Sequence, residues 1–165
     1  MNNSLSSTDQ NSIDEAKKKK KEIKKKLLQL KKKKPKQINA KFNELQDEEF
    51  KNMDCLNCAN CCKTTSPIFR NADINRLAKH LRMKSGAFTE KYLRLDEEQD
   101  YVLKTSPCAF LNSDNTCKVY DSRPLACREY PHTDRKNVVQ IINLTIKNTE
   151  ICPAVARIVE KIIQR

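Results

Sequence analysis

The first sixteen residues, MNNSLSSTDQNSIDEA, are polar almost throughout and offer too little to bury, so the expectation there is disorder. Between Lys17 and Lys36 the apolar positions Ile23, Leu27, Leu28 and Leu30 recur near helical spacing. Like charges at i and i+4 oppose a helix in that stretch, and only Glu22 supplies an acid, so a marginal, frayed helix ending before Pro35 is predicted. Ile38, Phe42 and Leu45, with Phe50 nearby, predict an amphipathic helix leading into the first cysteines. Asp73 is a capping residue ahead of the stripe Ile74, Leu77, Ala78 and Leu81, which predicts a second helix. A third begins around Ser85 and buries Phe88, Tyr92 and Leu93 before the acidic break at Asp96 to Asp100.

Beyond that break the pattern shortens. Tyr101 to Lys104 and Thr116 to Tyr120 read as short strands, separated by a polar turn at Asn112 to Asn115. Val138 to Ile146 is β-branched enough for a strand, although its partial alternation leaves a helix open. Pro153 suits the first turn of a final helix whose inner face is Val155, Ile158, Val159 and Ile162. The sum is a mostly helical α+β fold with short strands, without internal repeats. The expected organisation is a disordered, lysine-rich tail over residues 1–36 and one small domain over residues 37–165, built around a cysteine metal site.

Charge sharpens that division. Lys17 to Lys36 contains thirteen lysines and one acid, a surplus of twelve that equals the formal charge of the whole chain. The rest is electrostatically balanced. Two expectations follow for the segment: weak contact with nucleic acid or an anionic surface, or a solvated solubility tail. It has no interleaved aromatics and no RNA-binding motif.

Gly86 is the only glycine. Phosphate and dinucleotide cradles use several glycines to reach positive φ and to bring main-chain N–H groups close to the ligand, so no P-loop, dinucleotide fingerprint or S-adenosylmethionine loop is present. The early residues contain no apolar stretch resembling a signal peptide, and no run is long enough to span a bilayer, so a cytoplasmic location is expected. In a reducing compartment eight cysteines read as metal or redox chemistry in preference to a disulfide framework.

The informative string is Cys55-Leu-Asn-Cys58-Ala-Asn-Cys61-Cys62. Two residues between cysteines let a tight turn or helix start aim both sulfurs at one point, the geometry that zinc knuckles and iron–sulfur sites share. Cys62, adjacent to Cys61, should point elsewhere. Cys108, Cys117, Cys127 and Cys152 follow, near turn residues such as Pro107 and Pro153. Four ligands per site make eight thiols enough for one site with spares or for two sites. One division puts Cys55, Cys58 and Cys61 on one site and draws the others from the distal cysteines. Arg123 and Arg128, and beside them Lys63 and Lys118, are candidates to offset thiolate charge, the arginines through fixed guanidinium hydrogen bonds. The alternative for each arginine is an ordinary ion pair. His80 lies beside its apolar stripe and should face solvent. His132 is a candidate ligand or proton carrier, against a structural hydrogen bond. No nucleophile–base triad or paired carboxylate stands out.

These residues resemble the YkgJ-like cysteine-cluster family, described as a zinc- or iron-chelating C-x2-C-x2-C-C domain. The resemblance runs over about residues 38–160, through Cys55 to Cys62, the Asp73-Ile74 helix, Pro107 to Leu111, Cys117 to Tyr120, Arg123 to Pro131 and Cys152-Pro153. Many members have Gly where this chain has Ala59. The resemblance implies zinc, iron or an iron–sulfur cluster on the eight thiols. Because a related cysteine-rich domain occurs in flagellin lysine methylases, it also raises an alternative to simple metal binding: an iron–sulfur redox enzyme, or a component supporting methyl transfer. No catalytic constellation in the residues supports enzyme activity directly.

Overall fold

The computed structural model describes residues 5–164. Helices run over α1 Ser7–Lys18, α2 Lys20–Lys33, α3 Pro35–Phe50, α4 Cys55–Cys58, α5 Asn60–Thr64, α6 Asn71–His80, α7 Ser85–Tyr92, α8 Leu125–Glu129, α9 Ile142–Asn148 and α10 Pro153–Ile163. Strands β1 Leu93–Leu95 and β2 Tyr101–Leu103 pair antiparallel, with Leu93 opposite Leu103 and Leu95 opposite Tyr101. The expected class, mostly helical α+β, is the observed one. The chain divides into two compact units. The central unit holds residues 59–130, and the terminal unit holds residues 5–58 with 131–164.

The terminal unit is built round α10. Ala154, Val155, Ala156, Ile158, Val159, Ile162 and Ile163 are buried, so apolar residues cover far more than one face. It packs against α1, α2, α3 and α9. From those helices come Ile13 and Ala16, Ile23 and Leu27, Ile38, Phe42 and Leu45, and Ile142 and Ile146, all buried. The segment expected to be a disordered tail is therefore helical from Ser7, and position 36 marks no boundary between the units. Two short-range devices start α1: the Ser6 hydroxyl accepts from the Asp9 N–H at 3.1 Å, and Asp9 and Lys17/Lys18 complement the two ends of the helix dipole. In α2 the pair Ile23 and Leu27 finds a packed partner, and tertiary burial outweighs the repulsion among the lysines. The Val138–Ile146 run, for which both strand and helix were open, is a 3-10 turn over Val138–Ile141 followed by α9. Its buried positions, Val138, Ile142, Thr145 and Ile146, keep helical spacing, and this resolves the ambiguity.

The central unit has its own core. Ile74, Leu77 and Ala78 of α6, Phe88 of α7, Leu93, Leu103, Phe69, Phe110 and Val119 form one buried cluster. Phe88 and Phe110 stack with centroids 6.2 Å apart. Asp73 serves α6 from inside its first turn, accepting from the Arg70 N–H at 3.1 Å. Two expectations fail locally. Leu93, expected on the α7 face, is extended and opens β1. Thr116 to Tyr120, expected as a strand, forms only a bridge between Cys117 and Leu111 before a 3-10 turn at Tyr120–Ser122, because Asp114 and Asn112 turn the chain there through bonds to Thr116.

Ala59 precedes α5 with φ 46° and ψ 18°, in the left-handed region, and is 3% exposed. A Cβ costs roughly 1–2 kcal/mol in that conformation, and a β-branched side chain more. Ala59→Gly should therefore leave the melting temperature within a few degrees, lost methyl burial offsetting the relieved backbone. Ala59→Val should cost more than about 2 kcal/mol. Equal melting temperatures for the two variants would show that the turn does not impose this conformation.

Candidate metal centre

In the central unit α5 presents Cys61 and Cys62 side by side, both half-buried. The loop from Cys108 to Val119 comes back to them: the Cys108 N–H donates to the Cys62 carbonyl at 2.8 Å. The loop is pinned on itself by the Leu111–Cys117 bridge and by the Lys118 N–H donating to the Phe110 carbonyl at 2.9 Å. Phe110 and Val119, each two residues beyond a cysteine, are driven into the core and fix where Cys108 and Cys117 sit. Cys127 enters on α8, whose first turn follows Pro124.

The sulfurs have donors. Cys108 Sγ accepts from the Phe110 N–H at 3.4 Å, and Cys117 receives the Val119 N–H. Such bonds favour thiolate over thiol and accompany thiolate ligands generally. The electrostatics then divide the group. A hydrogen bond from Cys61, helped by the Arg123 and Lys63 charges, brings the Cys62 thiol down to about 7. Burial pushes Cys127 up to about 12, and the neighbouring Cys62, Cys108 and Cys117 sulfurs push it further the same way. Burial also raises Cys108 and Cys117, and the Cys62 thiolate adds to both. Cys108, Cys117 and Cys127 thus lie close enough to Cys62 that its charge opposes ionisation of all three. A bound cation removes that opposition, and soft thiolate donors suit zinc, iron and iron–sulfur clusters.

In the terminal unit Cys55 and Cys58 occupy the two ends of the single turn α4. Asp54 starts that turn, its carboxylate accepting from the Leu56 N–H at 2.8 Å and its carbonyl from the Cys58 N–H at 3.2 Å. Cys152 is buried at the N-cap of α10, where its side chain makes no capping hydrogen bond and the nearby Val155 and Ala154 N–H groups act only to lower its pKa. Burial pushes its thiol up to about 12, and the Cys55 and Cys58 sulfurs add to the rise. Of the expected set, Cys55 and Cys58 lie in the terminal unit and act on Cys152, and Cys61 lies beside Cys62 in the central unit. None of the eight cysteines is joined in a disulfide. Among the described residues no group of three His, Cys, Asp or Glu side chains is already drawn into a metal-holding arrangement, so both groupings are neighbourhoods and not closed polyhedra.

The flanking cations differ from one another. Arg123 stacks its guanidinium 3.5 Å from the centre of the Tyr120 ring, donates to the Tyr120 carbonyl at 2.7 Å and acts on Cys62, Cys117 and Cys127. Lys63 acts on Cys62. Arg128 and Lys118 are exposed and show no influence on the thiols among the described residues. His80 is exposed, and His132 lies in the terminal unit at φ 68°.

Sequence reasoning missed Asp73 and Arg76 as supports of this site. Arg76 holds the Ser122 and Arg123 carbonyls at 3.3 and 2.6 Å, and Asp73 accepts from the Leu125 N–H at 3.1 Å, gripping the segment that delivers Arg123 and Cys127. The acid–base pair at i and i+3 was the only local signal.

A family model, CxxCxxCC, described as a "putative zinc- or iron-chelating domain", matches residues 54–153. No curated protein and no solved structure matches the chain at a significant level. No helix among the described residues is long and apolar enough to cross a membrane.

Proposed function

From the premise that the chain belongs to the CxxCxxCC family of zinc- or iron-chelating domains, we propose that it binds metal on two groupings of thiolates. Cys62, Cys108, Cys117 and Cys127 are the ligands of one centre, with Arg123 as the cation that offsets surplus thiolate charge. Cys55, Cys58 and Cys152 are ligands of the other, and Cys61, next to Cys62, completes the set of eight. The observation that carries this reading is the gathering of four half-buried thiols in one unit, where the Cys62 charge opposes ionisation of Cys108, Cys117 and Cys127 and the Cys108 sulfur accepts a backbone N–H. When bound, zinc would supply a structural cross-link, and an iron–sulfur cluster would supply an electron-transfer centre. The residues would supply four sulfurs, the N–H bonds that hold them and a positive charge. Metal ligation by thiolates in preference to disulfides is the reading that goes with a reducing compartment such as the cytoplasm.

Anaerobic purification, metal analysis and an optical spectrum test the proposal together. Metal is expected at or above one equivalent per chain, colourless with zinc, and brown with absorption that bleaches on reduction if a cluster is held. Cys127→Ser should lower the bound metal. A folded, metal-free wild-type protein would overturn the reading, and unchanged metal content in the variant would overturn the ligand assignment.

A further inference from the structure

The lysine-rich segment is part of a packed helical unit, and this changes what its charge can do. Of its thirteen lysines, Lys18, Lys19, Lys20 and Lys26 pair with carboxylates, those of Glu15, Glu15 and Glu160, Glu150, and Glu22 respectively. The other nine find no acid within ion-pair distance among the described residues. Most are held on α2 or just beyond its end. At 3.6 residues per turn Lys21, Lys25 and Lys32 fall within about 40° of one another round the helix, and Lys24 flanks them. All four are exposed, on the side away from the buried Ile23 and Leu27.

We infer that this α2 face, centred on Lys21, Lys24, Lys25 and Lys32, is a docking surface for the phosphate backbone of nucleic acid. The occupant is chosen by what the face has and lacks. It carries a row of mobile ammonium groups on a rigid rod. A helix of fourteen residues is about 21 Å long, and a duplex carries a phosphate charge roughly every 1.7 Å of axis, so several contacts form at once. The exposed large apolar side chains of the protein, Leu56, Ile68, Leu95, Tyr120 and Leu144, include none from α1 or α2. A membrane-surface helix inserts its apolar face between lipids, and here that face is already used against α9 and α10. The row carries no aromatic side chain, and Gln29 at its edge is the one amide beside it, so binding is predicted to show little sequence preference. The surface is independent of the thiolate reading, since it involves no cysteine.

The test compares full-length, metal-loaded protein with a variant carrying Lys21→Gln, Lys24→Gln, Lys25→Gln and Lys32→Gln. None of these lysines has an ion pair to lose, and unchanged circular dichroism and metal content confirm the fold. Fluorescence anisotropy with labelled single-stranded RNA and duplex DNA, from about 50 to about 200 mM salt, is expected to show binding by the wild type that weakens steeply with salt. The variant should bind at least tenfold more weakly, with the slope of log K on log salt reduced by roughly 3 for duplex. No binding by the wild type at about 50 mM salt, or equal affinity and slope in the variant, overturns the proposal. So does sedimentation with phosphatidylserine vesicles that neither RNA nor DNA displaces, which would assign the face to a membrane surface.

Discussion

Stripping metal from the loaded protein with a chelator is expected to melt residues 59–130 while α10 and its partners in the terminal unit stay folded. The central unit has a modest core, nine buried residues drawn mainly from α6, α7 and the short hairpin. The loop from Cys108 to Val119 has little regular structure of its own, and the 120–130 segment has only a 3-10 turn and the five-residue α8. A small unit of this kind is marginal by apolar burial alone, whereas structural zinc on thiolates supplies about 10–16 kcal/mol of apparent binding energy that becomes folding energy. Removing the metal also restores the opposition of the Cys62 charge to ionisation of Cys108, Cys117 and Cys127. The terminal unit depends much less on metal, because α10 alone buries eight residues against its neighbours. Hydrogen exchange residue by residue is the measurement. Amides of Phe110, Lys118 and Val119 should lose protection after chelation, and those of Ile158 and Val159 should keep it. Undiminished protection at Phe110 and Val119 would mean that the metal is cargo and not a structural element.

How far the sequence revealed this arrangement depends on range. Stripes that repeat within one helix were legible: Ile38, Phe42 and Leu45 are buried on α3, Ile74, Leu77 and Ala78 on α6, and Val155, Ile158, Val159 and Ile162 on α10. The hairpin was half legible, because Tyr101 to Leu103 has strand composition but Leu93 also satisfies the α7 stripe, and only pairing with Leu103 decides it. Of the N-terminal helices, α1 was not legible, and α2 was legible only as a marginal helix ending before Pro35. Ile13, Ala16, Ile23 and Leu27 are too sparse to predict burial, and they become a core only because α10, more than a hundred residues later, is apolar on most sides. For the site, cysteine spacing announced thiolate ligation but not the division of the thiols. Adjacency suggested grouping Cys61 with Cys55 and Cys58, while the placement of Cys152 at the start of α10 and of Cys62 opposite Cys108 depends on contacts far apart in the chain. Arg123 and Arg128 looked alike as neighbours of Cys127. Arg123 stacks on the ring of Tyr120, whereas Arg128 is exposed.

Asp73→Ala should be among the most damaging single substitutions outside the cysteines, costing about 3–5 kcal/mol. The carboxylate is 3% exposed and accepts from Arg70 N–H, Leu125 N–H and the Arg76 guanidinium, the last at 2.6 Å. Its removal leaves two backbone N–H groups, those of Arg70 and Leu125, without this acceptor and a half-buried guanidinium without its counter-charge. Burial by itself would raise the Asp73 pKa, but the Arg76 bond and the two backbone donors outweigh it, and the group titrates below its ordinary value. A carboxyl depressed in the folded state contributes stability that is present above its unfolded pKa, near 4, and is lost as pH falls through the folded value. The wild type should therefore lose stability between about pH 4 and the folded value, and the alanine variant should lose correspondingly less over that window. Asp73→Asn keeps the shape and part of the hydrogen bonding, and should cost about 1–3 kcal/mol. The effect reaches the metal because Arg76, once released, no longer holds the Ser122 and Arg123 carbonyls that set the path into Cys127. Metal affinity measured by competition with a chromophoric chelator should thus fall in both variants, more in alanine than in asparagine. Chemical denaturation across pH measures the stability difference. An acid limb identical in wild type and alanine variant would show that Asp73 is not the group that ties α6 to the cysteine-bearing segment.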